Sequence, residues 1–394
     1  MEAIRGVAAA VGVLVVLATM LLALRLAGRI TAVLAGLLAA TAGSSPFIES
    51  FTLSGELVAS LWAVLSLLAF AAYLRARSLA WLFAAGLLAG MAVMTKQSAI
   101  DAGLAAGAYL VWRERRRALR PLGVLALGVA IPVAVAAAAA PRLGDWLFAV
   151  VGYRGRGDSL LTGSFQDRLH MLGDSLPPAA KALTLLVLLA AVGWKASPLL
   201  MRLWLGAALL GFLGGGNSHP HYYLQLVPPL AVLAGVGAER LLVLRPRVTA
   251  LACAAAVTAS VALAGPLWFA GAREQAKEIW PHDPHLLHDQ AVADYVKAHT
   301  HPGQKVFVLW AAADVYYLAD RDPAFKYMWF RNIQTIPHAL RDARRVLAAK
   351  RPALVVVAQP PGSLDHSGKT ARILTREYRL EARVDGVPIY RARA

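Results

Sequence analysis

Apolar runs recur from the N-terminus to about residue 268, each broken from the next by a short polar stretch. Ten of them stand out, over residues 7–27, 30–46, 56–74, 79–94, 98–112, 121–140, 179–195, 199–215, 222–240 and 247–269. Crossing about 30 Å of hydrocarbon at 1.5 Å per residue takes about 20 apolar residues as a helix. No water is present there to satisfy a backbone amide, so a spanning run satisfies its own by folding into a helix. The pattern therefore predicts a polytopic α-helical membrane protein with about ten transmembrane helices.

The pattern changes near residue 270. Ala291–His299 reads as a helix that ends at Pro302-Gly303, and Lys305–Trp310 as a short apolar strand. His338–Lys350 is a basic helix closed by Arg351-Pro352, and Leu354–Ala358 is a second strand bounded by Gln-Pro-Pro-Gly. Tyr378–Val384 and Pro388–Arg391 form a terminal hairpin around Asp385-Gly386. Two domains follow: 1–269, multi-span, and 270–394, a small soluble α/β unit without a nucleotide-binding glycine loop.

Composition agrees with this division. Of 394 residues 58% are hydrophobic and 16% charged, against about 25% charged in a soluble domain, and mean hydropathy is +0.55. The net charge of +17 would suggest nucleic acid in a soluble protein, but much of it sits in short loops between apolar runs and no nucleic-acid-reading motif is present. The single cysteine, Cys253, lies in an apolar run, which excludes an intrachain disulfide and a cysteine-based zinc cage. The run from Val7 lacks a convincing cleavage site and reads as a retained span.

The basic loops also orient the chain. Arg25/Arg29, Arg75/Arg77, Arg113–Arg120, Lys195/Arg202 and Arg240/Arg245/Arg247 all fall on one side when the spans are counted as above. By the positive-inside bias that side is the cytoplasm. The other side receives the loop Ser44–Glu56, the turn Thr95-Lys96-Gln97, a long loop Pro141–Pro178, the turn Gly214–Tyr223 and the C-terminal domain. The unusual polar residues thus gather at one face, as expected of an enzyme working at the outer leaflet of a bacterial cytoplasmic membrane.

Particular segments carry a resemblance. Gly28-Arg29, Leu34-Ala35-Gly36, Ser45-Pro46 and Ser54-Gly55-Glu56, then Gly86-Leu-Leu-Ala-Gly90 running to Thr95-Lys96-Gln97, and His221-Tyr222-Tyr223 before Pro228-Pro229, follow one another in order. So do Val292–Thr300 with Pro302-Gly303, and Tyr316–Arg321. Together they resemble the C-superfamily integral-membrane glycosyltransferases, in particular the protein mannosyltransferase and aminoarabinose transferase group. The resemblance implies hexosyl or pentosyl transfer, with inversion, from a polyprenyl-phosphate donor to a protein, lipid or glycan hydroxyl outside the cytoplasm. In that chemistry a carboxylate accepts the acceptor's proton while positive charge stabilises the leaving phosphate.

The chain departs from the family at one place. The family's acidic catalytic motif lies in a long first outer loop after an initial span, whereas the span 7–27 resembles a later one. The expectation is a chain that starts late or is not catalytic alone, with Glu56 as a supporting acid. A non-catalytic member of the fold, acting as a lipid-linked-sugar binder, assembly partner or transporter, is the alternative reading.

Individual residues have two readings each. Glu56, with Glu49 near it, could hold acceptor, sugar or a divalent cation, yet Ser54 as N-cap and an acid in the first turn also begin a helix well. Lys96 fits a lipid phosphate as a point charge, with Gln97 adding donors, but a lysine there also snorkels to the interface. Asp101, one turn on, offers Lys96 a structural ion pair. His219, His221 and Tyr222 are suited to donate to phosphate or sugar, a role the resemblance supports for His221 and Tyr222, and equally to anchor an interface. The two histidines, at i and i+2 without a third ligand, make a poor metal site. Arg154 and Arg156 in the long loop could clamp a phosphate. No cofactor is required by these residues, and the cation stays open.

Overall fold

The computed structural model describes residues 2–153, 165–214, 218–281, 283–310 and 312–393. Two units separate: one holds Met1–Val151 and the chain as far as Phe269, the other Ala270–Ala394 with Gly152 and Tyr153.

Each of the ten apolar runs coincides with a helix of the first unit. These are α1 (Glu2–Leu26), α2 (Arg29–Gly43), α3 (Gly55–Ala76), α4 (Leu79–Thr95), α5 (Asp101–Glu114) and α6 (Leu119–Ala139), then, after a short α7 (Leu143–Leu147), α8 (Phe165–Gly193), α9 (Leu199–Gly214), α10 (Val227–Leu244) and α11 (Pro246–Phe269). By length and composition six segments suffice to cross a membrane: Ala3–Leu26, Gly55–Ala76, Asp101–Ala139, Phe165–Gly193, Pro220–Leu244 and Pro246–Phe269. Arg29–Gly43, Leu79–Thr95 and Leu199–Gly214 are equally apolar but shorter. The chain is a multi-pass membrane protein.

Between such helices there is little hydrophobic driving force, because lipid is as apolar as leucine, and close backbone packing takes its place. The helix pair α4/α6 shows how. A Cβ added at Gly86 would stand 2.2 Å from the carbonyl oxygen of Leu125, and one at Gly90 would stand 2.6 Å from that of Val129. The Gly86-Leu-Leu-Ala-Gly90 motif is thus a surface that lets two backbones touch. The pair α8/α10 uses Gly193 and Gly237 in the same way.

Polar contacts define the two ends of this bundle. At one end Arg77 pairs with Glu114 at 2.7 Å and Tyr73 donates to the same carboxylate, tying α3 to α5. Thr31 donates to Glu239 there, joining α2 to α10. At the other end the indole of Trp268, near the close of α11, donates to the carbonyl of Ser44 at 3.0 Å.

One segment departs from the sequence reading. The expected long loop Pro141–Pro178 contains α7, a π-turn over Phe148–Gly152, and the first half of α8. Pro177 and Pro178 suggest a helix start, since proline is best placed in a first turn. The structure runs one helix through both. A stripe of buried residues, Ser175, Ala179, Ala182, Leu186, Leu189 and Gly193, with half-buried Leu172 before it, keeps its 3–4 spacing straight across the prolines. Continuous packing on that stripe outweighs the hydrogen bonds that the prolines remove.

The second unit carries a four-stranded sheet in the order β1-β2-β4-β3, where β1 is Val306–Leu309, β2 Leu354–Val357, β3 Tyr378–Val384 and β4 Val387–Ala392. β1 and β2 pair in parallel, and β4 pairs antiparallel with both β2 and β3. β1 and β2 are buried on both faces, as their unbroken apolar sequence requires. Phe307, Leu309, Val355 and Val357 join one core, and Val306, Val308, Leu354 and Val356 the other, by the two-residue alternation of a strand.

Around the sheet lie α12 (Ala272–Ile279), α13 (Asp289–Ala298), α14 (Asp314–Ala319), α15 (Phe330–Thr335), α16 (Ala339–Ala348) and α17 (Lys369–Glu377). α12, α14, α15 and α17 were not anticipated from sequence, being short and without a long apolar period. The buried guanidinium of Arg321 donates to the carbonyls of Lys297, Thr300, Ala319 and Asp320, closing the ends of α13 and α14. Burial would raise the carboxyl of Asp365, but donors from Ser367, Thr370 and Arg344 outweigh it and hold the group well below the usual carboxylate range.

Candidate active site

The sequence places its candidate residues on four separate stretches, and the fold brings three of them together at one end of the bundle. The first stretch is the α2–α3 connection. Pro46–Ile48 makes a single 3-10 turn whose Phe47 and Ile48 are buried, and Glu49 follows with φ 53°. That left-handed conformation costs a residue with a Cβ about 1–2 kcal/mol. The loop is fastened on both sides of it: Ser50 donates to the carbonyl of Ser45 at 2.9 Å, and Thr52 to that of Glu49 at 2.7 Å. Ser54 then caps α3 by accepting from the amide of Leu57, and Glu56 sits in the first turn.

The second stretch is the end of α4. Lys96 is its C-cap, with extended backbone, and its Nζ lies 2.6 Å from Oε1 of Glu56. Both side chains are largely out of solvent, at 19% and 3% exposure, so neither charge would be tolerated alone. The same Nζ stands 4.2 Å from the centre of the Tyr222 ring, whose face adds a cation–π attraction.

The third stretch precedes α10. Pro220–Leu226 is a 3-10 segment begun by His219, and it sets Tyr222 against Lys96 and His221 against Glu49. Nδ1 of His221 lies 2.7 Å from Oε2 of Glu49. The His219 and His221 rings stack in parallel, 5.6 Å apart, and Tyr222 meets both edge-on. Two residues apart on a regular helix they would diverge. Here His219 is still extended when the tight turn begins, which lets the rings face each other.

The arrangement is thus two adjoining pairs, Lys96–Glu56 and His221–Glu49, bridged by Tyr222. A cation, an imidazole and two carboxylates at one end of an apolar bundle can hold a phosphate and handle a proton. Among the described residues no group of three or more His, Cys, Asp or Glu is placed to hold a metal ion.

Other expectations resolve differently. Asp101 does not pair with Lys96. Its Oδ2 accepts from the indole of Trp204 at 2.6 Å, because the first turn of α5 points it inward against α9 while Lys96 swings to α3. Gln97 donates its amide to the carbonyl of Val150 at 2.7 Å, which fastens the π-turn. Arg154 and Arg156 lie outside the described residues. Two contributions were missed from sequence. Trp204 donates to the buried acid Asp101, and Lys181 of α8 stands 4.5 Å from the centre of the Phe47 ring, two residues before Glu49. A lysine near the start of the apolar run 179–195, far from the one at its end, was the available signal for the latter.

The fold, with this arrangement at one end of its bundle, is similar to that of known membrane glycosyltransferases. Residues 1–140, which carry Glu49, Glu56, Lys96 and Gln97, match the family model of dolichyl-phosphate-mannose-protein mannosyltransferases. Two solved structures of ArnT from Cupriavidus metallidurans are similar, each over 98% of this chain and 83% of their own. The one bound to undecaprenyl phosphate has a TM-score of 0.59 at 17% identity, and the apo form 0.57 at 16%. At that identity the likeness is one of fold. No curated protein matches the chain in sequence.

Proposed function

We propose that this protein transfers a sugar from a polyprenyl-phosphate donor to a hydroxyl acceptor (protein, lipid or glycan) at the non-cytoplasmic face of the cytoplasmic membrane. The observation that carries the reading is the Lys96–Glu56–Tyr222 cluster, in a fold shared with an ArnT that binds undecaprenyl phosphate. Lys96 stabilises the departing phosphate, and Glu56 holds the lysine in place before the lipid arrives. Transfer inverts the anomeric centre, since a single displacement by the acceptor needs no covalent intermediate on the enzyme.

The test is turnover of the purified chain in nanodiscs with a panel of radiolabelled undecaprenyl-phosphate sugars (mannose, glucose, arabinose and aminoarabinose) and a cell-envelope acceptor extract. Label moving from the lipid phase to the acceptor is the expected result. Lipid binding without transfer of any of the sugars would favour the non-catalytic reading.

The location rests on the loop charges, and on Trp268 bringing the close of α11 to the end that holds the site. Ser44 and Ser363 are exposed, as is Arg116 in the basic loop, whereas Ala118 beside it is buried. In a Cys253→Ala background, cysteines at 44 and 363 are expected to react with an impermeant thiol reagent in intact cells. A cysteine at 116 is expected to react only after lysis. Labelling of position 116 in intact cells would reverse the orientation.

A further inference from the structure

We infer that Glu49 and His221 are the general-base dyad of the transfer reaction, an inference that rests on the reading above. The structure supplies a candidate for this work from the chain's own residues. Glu56, the acid nearest in sequence, is engaged by Lys96 at 2.6 Å and is 3% exposed. Its negative charge is what keeps the lysine in place, and protonating it would break that pair. Glu49 is committed to His221 instead, and that pairing has the form a base requires.

A neutral imidazole has one nitrogen that donates and one that accepts. With Nδ1–H donating to Oε2 of Glu49 across 2.7 Å, Nε2 is the acceptor. The structure gives Nε2 no hydrogen-bond partner among the described residues. The His221 side chain is 25% exposed and that of Glu49 is 10%, so the ring can be reached while its carboxylate partner is shielded. The loop geometry fixes Glu49, and the stacked His219 and edge-on Tyr222 fix the plane of the imidazole. Tyr222 also carries Lys96 on its ring face, so the base and the phosphate-binding cation share one side chain between them.

The reaction balances on these groups. The acceptor hydroxyl gives its proton to Nε2 as its oxygen bonds to the anomeric carbon. The bond from that carbon to the phosphate oxygen breaks, and its electron pair leaves with the polyprenyl phosphate beside Lys96. The imidazolium is stabilised by the Glu49 carboxylate until the proton passes to water. His221 touches the reacting hydroxyl and is the catalytic residue. Glu49 acts through it and is a positioning residue.

The experiment uses the full chain in nanodiscs, with whichever sugar of the panel the wild type transfers, and undecaprenyl phosphate as the binding probe. His221→Gly is expected to lower kcat by about 10²–10⁴-fold, the usual worth of a positioned base. Lipid affinity should stay within about twofold, and added imidazole should restore part of the rate. Glu49→Gln, nearly isosteric, is expected to lower kcat at least tenfold with KM for the donor unchanged, and imidazole should not rescue it. Should His221→Gly not fold, His221→Gln serves for the kcat comparison. Wild-type transfer with undiminished kcat in the His221 variants overturns the dyad and leaves the function standing. So does a rate loss that only follows weakened lipid binding. A wild type that binds undecaprenyl phosphate but transfers none of the sugars overturns both.

Discussion

Gly237→Val is expected to abolish recovery of folded protein. A Cβ at position 237 would stand 1.9 Å from the carbonyl oxygen of Leu189, and 2.9 Å from the amide nitrogen of Gly193. Both are backbone atoms of α8, so no side chain can rotate away and the helices must separate. Gly193 faces the same problem from the other side, with the Leu233 carbonyl at 2.2 Å. Overpacking typically costs about 1–3 kcal/mol, and occasionally more. A backbone-to-backbone clash belongs at or beyond the top of that range. Gly206 of α9 is the control: a Cβ there meets nothing within 4 Å. Gly206→Ala is expected to be neutral or to stabilise by up to about 0.5–1 kcal/mol, the usual gain over glycine inside a helix. Thermal unfolding in detergent, read by size-exclusion profile, compares the three proteins. A Gly237→Val variant as stable as the wild type would refute the close crossing of α8 and α10. The consequence reaches the site, because α10 follows directly from the turn that carries His221 and Tyr222.

Lys96→Ala should affect both stability and binding, and the two can be separated. Removing the lysine leaves the Glu56 carboxylate nearly buried without its counter-charge. Breaking one side of a buried pair costs about 3–5 kcal/mol. The double variant Lys96→Ala/Glu56→Gln leaves no charge behind, and it is expected to recover most of that stability. It should not recover lipid binding. Loss of a charge-assisted bond to phosphate costs about 1–3 kcal/mol, and both variants should show it in titrations with undecaprenyl phosphate. Lys96→Arg should restore only part, because a planar fork cannot occupy the same place between a carboxylate and a ring face. A double variant that binds the lipid as the wild type does would leave Lys96 as a structural partner of Glu56 and nothing more.

These two expectations fall on opposite sides of what a sequence reader could see. Lys96 was visible as the one basic residue in a short turn between apolar spans, and its candidacy came from that isolation. Its actual partner was not visible. Asp101 is nearer in sequence than Glu56, yet Asp101 turns to Trp204 of α9, while Lys96 reaches back to the start of α3. Gly86 and Gly90 were visible as a motif, but their use against Leu125 and Val129 was not.

The sequence by itself determined the ten apolar helices of the first unit, the strands β1 and β2 and the terminal hairpin. These follow from properties summed along the chain: hydrophobicity over about 20 residues, turn residues at fixed offsets, and charge in loops. They need no knowledge of neighbours. The tertiary structure decided everything that depends on which face of a helix meets which other helix. An apolar membrane helix has no polar stripe to mark its inner face, so its rotation is set by glycine contacts and polar pairs that exist only once a partner is present. That is why the helical course through Pro177 and Pro178, the Asp101–Trp204 bond and the joining of Glu49 to His221 across 172 residues of chain appear only in the fold.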